Sequence, residues 1–160
     1  MNRWHAVIVI VMVLGVAVAG GLPATAVGDA GDTWNTAAKS DPDVAAAQQA
    51  IKDQDWAKAI ERLTRAAARD DNNADLHNLL GYAERKRGNL DVAFKHYERA
   101  LTLDPKHRGA HEYVGEAYLM IGNLAKAEEH LATLDKLCTL PCDEYHDLKA
   151  AVAQYKQKQK

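Results

Sequence analysis

Two stretches decide the fold: "RGNLDVAFKHYERALTLDP" (Arg87–Pro105) and "IGNLAKAEEHLATLDKLCT" (Ile121–Thr139). They align without a gap. Gly88 meets Gly122, Asn89 meets Asn123, Leu90 meets Leu124, Ala93 meets Ala127 and His96 meets His130, at an offset of 34 residues (122 − 88). The preceding stretches keep the register: His77 with His111, Gly81 with Gly115, Ala83 with Ala117. A weaker copy lies one period upstream, with Asp55-Trp56 at the Asn89-Leu90 position, then Ala59, Leu63 and Ala66. A fixed period of this length marks a solenoid of supersecondary units that bury their apolar faces against one another.

Local chemistry says what each unit is. Asp55, Asn89 and Asn123 each stand before an apolar-periodic segment. Their side-chain oxygens suit the orphan N–H groups of a first helical turn. Gly88 and Gly122 come immediately before them, where a preceding helix ends on a left-handed residue. Asp41-Pro42 reads as an N-cap followed by Pro at the first helical position. The spacing predicts helices over 42–53, 56–69, 74–87, 90–103, 108–121 and 124–138. Gly81, Gly115, Ala93 and Ala127 are expected to let paired helices approach closely. Alanine is abundant, Phe occurs once and Tyr six times in 160 residues, which favours an all-α domain.

The pattern resembles the tetratricopeptide repeat, whose unit is a pair of antiparallel helices. The middle copy matches best: Gly81, Ala83, Gly88, Ala93, Tyr97, Ala100 and Pro105 fall on the family's small, aromatic and proline positions. His77 stands at an early aromatic position and Glu84 at a mid-helix tyrosine. In the third copy Leu134 and Thr139 replace Ala and Pro; in the first, Ala47, Gln54 and Asp71 replace Gly, Gly and Pro. The resemblance implies three helix-turn-helix repeats, about 40–73, 74–107 and 108–141, in a short right-handed superhelix. Tyr145, Leu148, Val152 and Tyr155 recur at helical spacing, so 143–156 reads as an amphipathic helix that caps the array.

The N-terminus is of another kind. Arg3 precedes an apolar run, Ala6–Ala19, and Ala24-Thr25-Ala26 supplies small residues for cleavage. Residues 1–26 read as a secretory signal peptide cut after Ala26, the alternative being an uncleaved inner-membrane anchor. Residues 27–40 read as a flexible lead, with Trp34 expected to pack on the first helix. Loss of Arg3 takes the formal charge from −2 to −3. With no Lys/Arg stripe in the sequence, nucleic-acid binding is not expected.

Export bears on Cys138 and Cys142, the two cysteines of the chain. In an oxidising compartment two thiols are usually a disulfide. The other reading is a thiol-redox or copper-handling site, since His146 follows at the same spacing of four, although Pro141 argues against one continuous helix. The ending resembles exported bacterial tetratricopeptide proteins with a CxxxC before an acidic, Tyr-containing helix start. His107 and His111 are spaced by one turn, but the equivalence of His77/His111 and His96/His130 in the repeat points to packing rather than one ion. No cofactor and no metal is expected. Nor is an enzyme: nucleophile-elbow, zincin, Walker and dinucleotide motifs are missing, and Ser40 is the one serine after residue 26.

What remains is a concave face. By the family resemblance it is lined by Val44, Gln48 and Lys52, then Asn78, Tyr82, Arg85 and Lys86, then Glu112, Tyr113, Glu116 and Met120. Two tyrosines among mixed charges suit a protein or peptide partner. The family's carboxylate clamp is not expected, because Val44, Gln48, Leu79, Gly109 and Tyr113 occupy its positions.

Overall fold

Pro42–Lys52 (α1), Trp56–Arg69 (α2), Ala74–Arg87 (α3), Leu90–Leu103 (α4), Arg108–Met120 (α5), Leu124–Leu137 (α6) and Asp143–Lys158 (α7) make up a computed structural model that describes residues 41–140 and 142–159. The expected signal peptide with its cleavage after Ala26, the lead with Trp34, and Pro141 lie outside the described residues. Helix bounds agree with those expected from the spacing to within one or two residues. No described helix is long and apolar enough to cross a membrane.

Three turns, one per repeat, share one hydrogen-bond pattern. Asp55 N–H donates to Ala50 O at 2.8 Å, Asn89 N–H to Glu84 O at 2.9 Å, and Asn123 N–H to Tyr118 O at 2.8 Å. This six-to-one bond closes a helix on a left-handed residue. Gly88 (φ 95°) and Gly122 (φ 79°) supply it in the later repeats. In the first, Gln54 takes the same conformation at φ 58°.

The caps follow with one exception. Asp55 accepts from Lys58 N–H and Asn123 from Lys126 N–H, both at 3.1 Å. Asn89 makes no such bond. Its amide donates instead to Glu84 Oε2 at 2.7 Å, so the carboxylate at a tyrosine position diverts the cap. His107, which the sequence left at a repeat junction, is the N-cap of α5. Its Nδ1 accepts from Ala110 N–H at 3.1 Å, while Nε2 meets Asp75 Oδ1 at 3.0 Å. That spends both ring nitrogens and separates His107 from His111.

The core runs along the array in successive clusters. Val44, Leu63, Leu76 and Leu80 bind α1, α2 and α3. Tyr97 sits among Ala93, Val114 and Ala117. Leu134, Leu148 and Val152 seal α7 onto α6, with Tyr118 and Leu131 against them. α7 packs on both α5 and α6, as a cap must. Gly81 admits the ring of Tyr97 on its paired helix. Gly115 serves a different neighbour from the one expected: a Cβ there would stand 2.6 Å from Leu148 Cδ2, so this glycine admits the cap and not its paired helix α6.

Arg62, Arg65 and Arg69 form a row on α2, a correction to the expectation of no Lys/Arg stripe, though each of the three is paired with a carboxylate. They converge on the start of α1, where Asp43 meets all three at 2.9–3.0 Å and Asp41 meets Arg69 at 2.8 Å. Hydrogen bonds from Arg62 and then Arg69 hold the Asp43 carboxyl down at about 2. Arg65 also pairs with Glu61, one turn earlier on α2, at 2.7 Å.

Candidate functional site: the inner face of α1, α3 and α5

Inner-face side chains are set by helical spacing. On α3, Asn78, Tyr82 and Arg85 stand one turn apart on one stripe, and on α5 Glu112, Tyr113 and Glu116 share the facing stripe. The two helices touch. Tyr82 and Tyr113 meet with ring centroids 4.9 Å apart and planes tilted by 43°. Trp56, the first residue of α2, extends the row by packing edge-on to Tyr82 at 6.0 Å. Trp56 was missed because its position in the repeat reads as a helix start; only the fold brings it beside Tyr82.

Arg85 organises the middle of the face. It is 6 % exposed. Its Nη2 reaches Glu116 Oε2 at 2.6 Å, and its Nε donates to the Tyr97 hydroxyl at 3.2 Å. The guanidinium carbon lies 5.5 Å from the Tyr82 ring centre and 5.6 Å from that of Tyr113. Lys86 adds its ammonium 5.4 Å from the Tyr82 ring. Such cation–aromatic contacts contribute about 0.5–2 kcal/mol each, most where water is excluded. Burial pushes the hydroxyls of Tyr82, Tyr97 and Tyr113 up, so all three stay protonated at neutral pH.

The remaining residues expected on this face divide by depth. Gln48 is half-buried; Lys52 and Met120 are exposed. Val44 is not a surface residue at all: it is 2 % exposed and belongs to the first core cluster, because α1 turns that position toward α2 and α3. Asn78 and Glu112 are also buried, at 1 % and 8 % exposure. Glu112 is pushed up to about 8, by burial first and then by Glu116, Asp147 and Glu144, against the pull of Arg85. The last two carboxylates come from α7, which the sequence identified as a cap and not as part of the face.

The histidines at equivalent repeat positions, His77 with His111 and His96 with His130, do not meet each other; each instead pairs within its own repeat. His77 Nδ1 meets His96 Nδ1 at 3.3 Å, and His111 Nδ1 meets His130 Nδ1 at 2.9 Å. Nε2 of His77 faces Asp71 O and Nε2 of His111 faces Pro105 O, each at 3.0 Å. A carbonyl only accepts, so both rings carry their proton on Nε2. Their Nδ1 atoms therefore accept from His96 and His130. Burial, then the facing His111, pushes His130 down to about 4, and His96 moves the same way for the same reasons. Among the described residues no group of three or more His, Cys, Asp or Glu side chains could hold a metal ion.

Cys138 closes α6 and Cys142 stands at the N-cap of α7, with Cα atoms 5.9 Å apart and sulfurs at bonding distance. The Cys138–Cys142–His146 spacing does not lie on one helix, because α6 ends at Leu137 and α7 begins at Asp143. His146 is exposed and packs edge-on to Tyr145.

Comparison with known proteins agrees with this geometry. Two models of the tetratricopeptide repeat match residues 44–108 and 84–152, together running over most of the array. No curated protein matches the chain. Among solved structures, the TPR2B domain of yeast Sti1 in its pHsp70 complex superposes with a TM-score of 0.67 at 16% identity, over 72% of this chain and 94% of that one. The Yersinia enterocolitica type III secretion chaperone SycD, with a peptide of the translocator YopD, gives 0.61 at 19% identity, over 71% and 89%. The second TPR domain of human RPAP3, with an HSP70 peptide, gives 0.62 at 24% identity, over 71% and 92%. At these identities the likeness is one of fold. With the repeat in sequence, the helix pairs in three dimensions and the family match in agreement, this chain belongs to the tetratricopeptide repeat family.

Proposed function

We propose that the chain is a non-enzymatic interaction module, a scaffold of the cell envelope, whose inner face binds a peptide or protein segment. The observation that carries this reading is the contact of Tyr82 with Tyr113 beside a buried, already paired Arg85. Half-buried tyrosines held by a fixed cation present contact area at little entropic cost, which suits a partner surface. Similar folds seen with bound peptides lend support by analogy. Export by residues 1–26 to the periplasm, with Cys138 and Cys142 joined as a structural disulfide, completes the reading. The position of the pair between α6 and α7, with Cys142 buried, favours a fastening for the cap over a thiol-redox or copper site.

The test is Tyr82→Ala combined with Tyr113→Ala. Far-UV circular dichroism should be unchanged, while proteins that co-purify from the native host are lost. An unchanged set of co-purifying proteins would remove the inner face from the account.

A further inference from the structure

One end of the inner face has more hydrogen-bond acceptors than donors. Asn78 Oδ1 is buried without a partner, its amide nitrogen side against α5, 3.1 Å from where a Cβ on Gly109 would stand. Glu112, at the equivalent position of the next repeat, makes no hydrogen bond or ion pair among the described residues, although it is 8 % exposed. Glu116 from α5 itself and Glu144 and Asp147 from α7 face the same carboxyl. The cations nearby are already engaged. Arg85 is held by Glu116 and the Tyr97 hydroxyl, and Arg108 stands 3.5 Å from Glu144.

Asn78 Oδ1, fully enclosed without a donor, costs about 1–3 kcal/mol. The Glu112 oxygens, in a largely buried residue, are not fully enclosed, so a donor from outside can reach them. In the isolated chain a proton serves for Glu112, whose carboxyl is pushed up as described above. An ammonium or guanidinium supplies three to five donors and a full charge, and it would take that proton's place.

We infer that this end of the groove takes a lysine or arginine side chain of the bound segment, paired with the Glu112 carboxylate beside Tyr113 and backed by Asp147, while Asn78 Oδ1 accepts an N–H of the same segment. The inference rests on the inner face being the binding surface and names the chemistry that face selects. Binding expels the Glu112 proton: the carboxylic acid loses H⁺ to solvent, and the partner's cation pairs with the carboxylate left behind.

The experiment selects a displayed library of random dodecapeptides on the full chain, with the Tyr82→Ala/Tyr113→Ala, Glu112→Gln and Asp147→Asn variants as comparisons. Peptides enriched in a Tyr82- and Tyr113-dependent way should carry Lys or Arg. Their affinity should fall roughly tenfold or more with Glu112→Gln, and likewise when citrulline or norleucine replaces the peptide's cation. Asp147→Asn, at an exposed position of α7, should weaken them in the same direction. Calorimetry at pH 7 in two buffers of different ionisation enthalpy should show proton release with the wild type and none with Glu112→Gln. Tyr-dependent enrichment without a Lys or Arg excess, or unmoved by Glu112→Gln and Asp147→Asn, overturns the inference and leaves the groove standing. Absence of any Tyr-dependent enrichment overturns both.

Discussion

Gly81 on α3 and Tyr97 on α4 are in such close contact that a Cβ on Gly81 would lie 2.5 Å from Tyr97 Cε1 and 2.6 Å from Cδ1. The ring is fully buried and its hydroxyl holds Arg85, so a packing slot in the repeat positions the central cation of the inner face. Gly81→Ala is therefore expected to destabilise. Ala gains up to ~1 kcal/mol of helix propensity over Gly, but forcing a buried ring aside costs about 1–3 kcal/mol or more, and the clash wins. Thermal unfolding should show a midpoint roughly 5 °C lower. An unchanged midpoint would mean that the ring relaxes freely.

Gln54 makes the opposite prediction. It holds a left-handed conformation at φ 58° where the later repeats use Gly88 and Gly122. A side chain costs about 1–2 kcal/mol in that region, while glycine adds entropy to the unfolded chain. Gln54→Gly should thus raise stability by about 0.5–1 kcal/mol, read as a higher urea midpoint at unchanged slope.

These two sites show how the sequence encodes the array. Gly88 and Gly122 announce the turns because backbone chirality leaves few other residues there, and Asp55 and Asn123 announce the caps. Such signals act within a few residues of chain. Asn89 misleads because its cap is surrendered to Glu84, five residues away on the preceding helix. The inner face was legible only as a stripe of positions. That Val44 is core, that Trp56 joins Tyr82, and that α7 crowds Glu112 with two more carboxylates depend on how neighbouring helices sit. The equivalence of the histidines was visible at the repeat period, but their partnership spans 19 residues and two helices.

The histidine pairs predict acid sensitivity within a defined window. His130 is held down at about 4, so between its ordinary 6.5 and about 4 the unfolded chain binds a proton that the native chain does not. Stability contributed by the neutral ring is complete above about 6.5, falls as the pH drops, and is gone below about 4. Allowing for the partly exposed ring, the loss is on the order of 1–2 kcal/mol. Glu112 works the other way: its raised pKa gives stability that is lost as pH rises from its ordinary value through about 8. The informative quantity is thus the difference between wild type and His130→Asn, whose amide can still donate to His111 Nδ1 but does not titrate. Between pH 7 and pH 5 the urea midpoint of the wild type should move downward relative to that of His130→Asn; an equal shift in both proteins would dismiss the pair as the cause.

The cysteines predict a modest effect. Closing a loop of this length contributes only about 2 kcal/mol by chain entropy. Cys138→Ser with Cys142→Ser should lower the thermal midpoint while leaving the helical content of α1 to α4 intact. Hydrogen exchange should rise chiefly in α7, whose Leu148 and Val152 fall onto the end of the array. The native protein should have no titratable thiol. Two free thiols with stoichiometric copper would favour the redox or metal reading instead.

The central claim, that partners dock on the inner face, is tested most directly by site-specific photo-crosslinking in the native host. A photoreactive phenylalanine analogue replaces Tyr82 or Tyr113 in one set, and exposed Lys95 of α4 in the other. Discrete adducts to a partner protein are expected from positions 82 and 113 and none from 95. Adducts arising from position 95, with 82 and 113 silent, would contradict it.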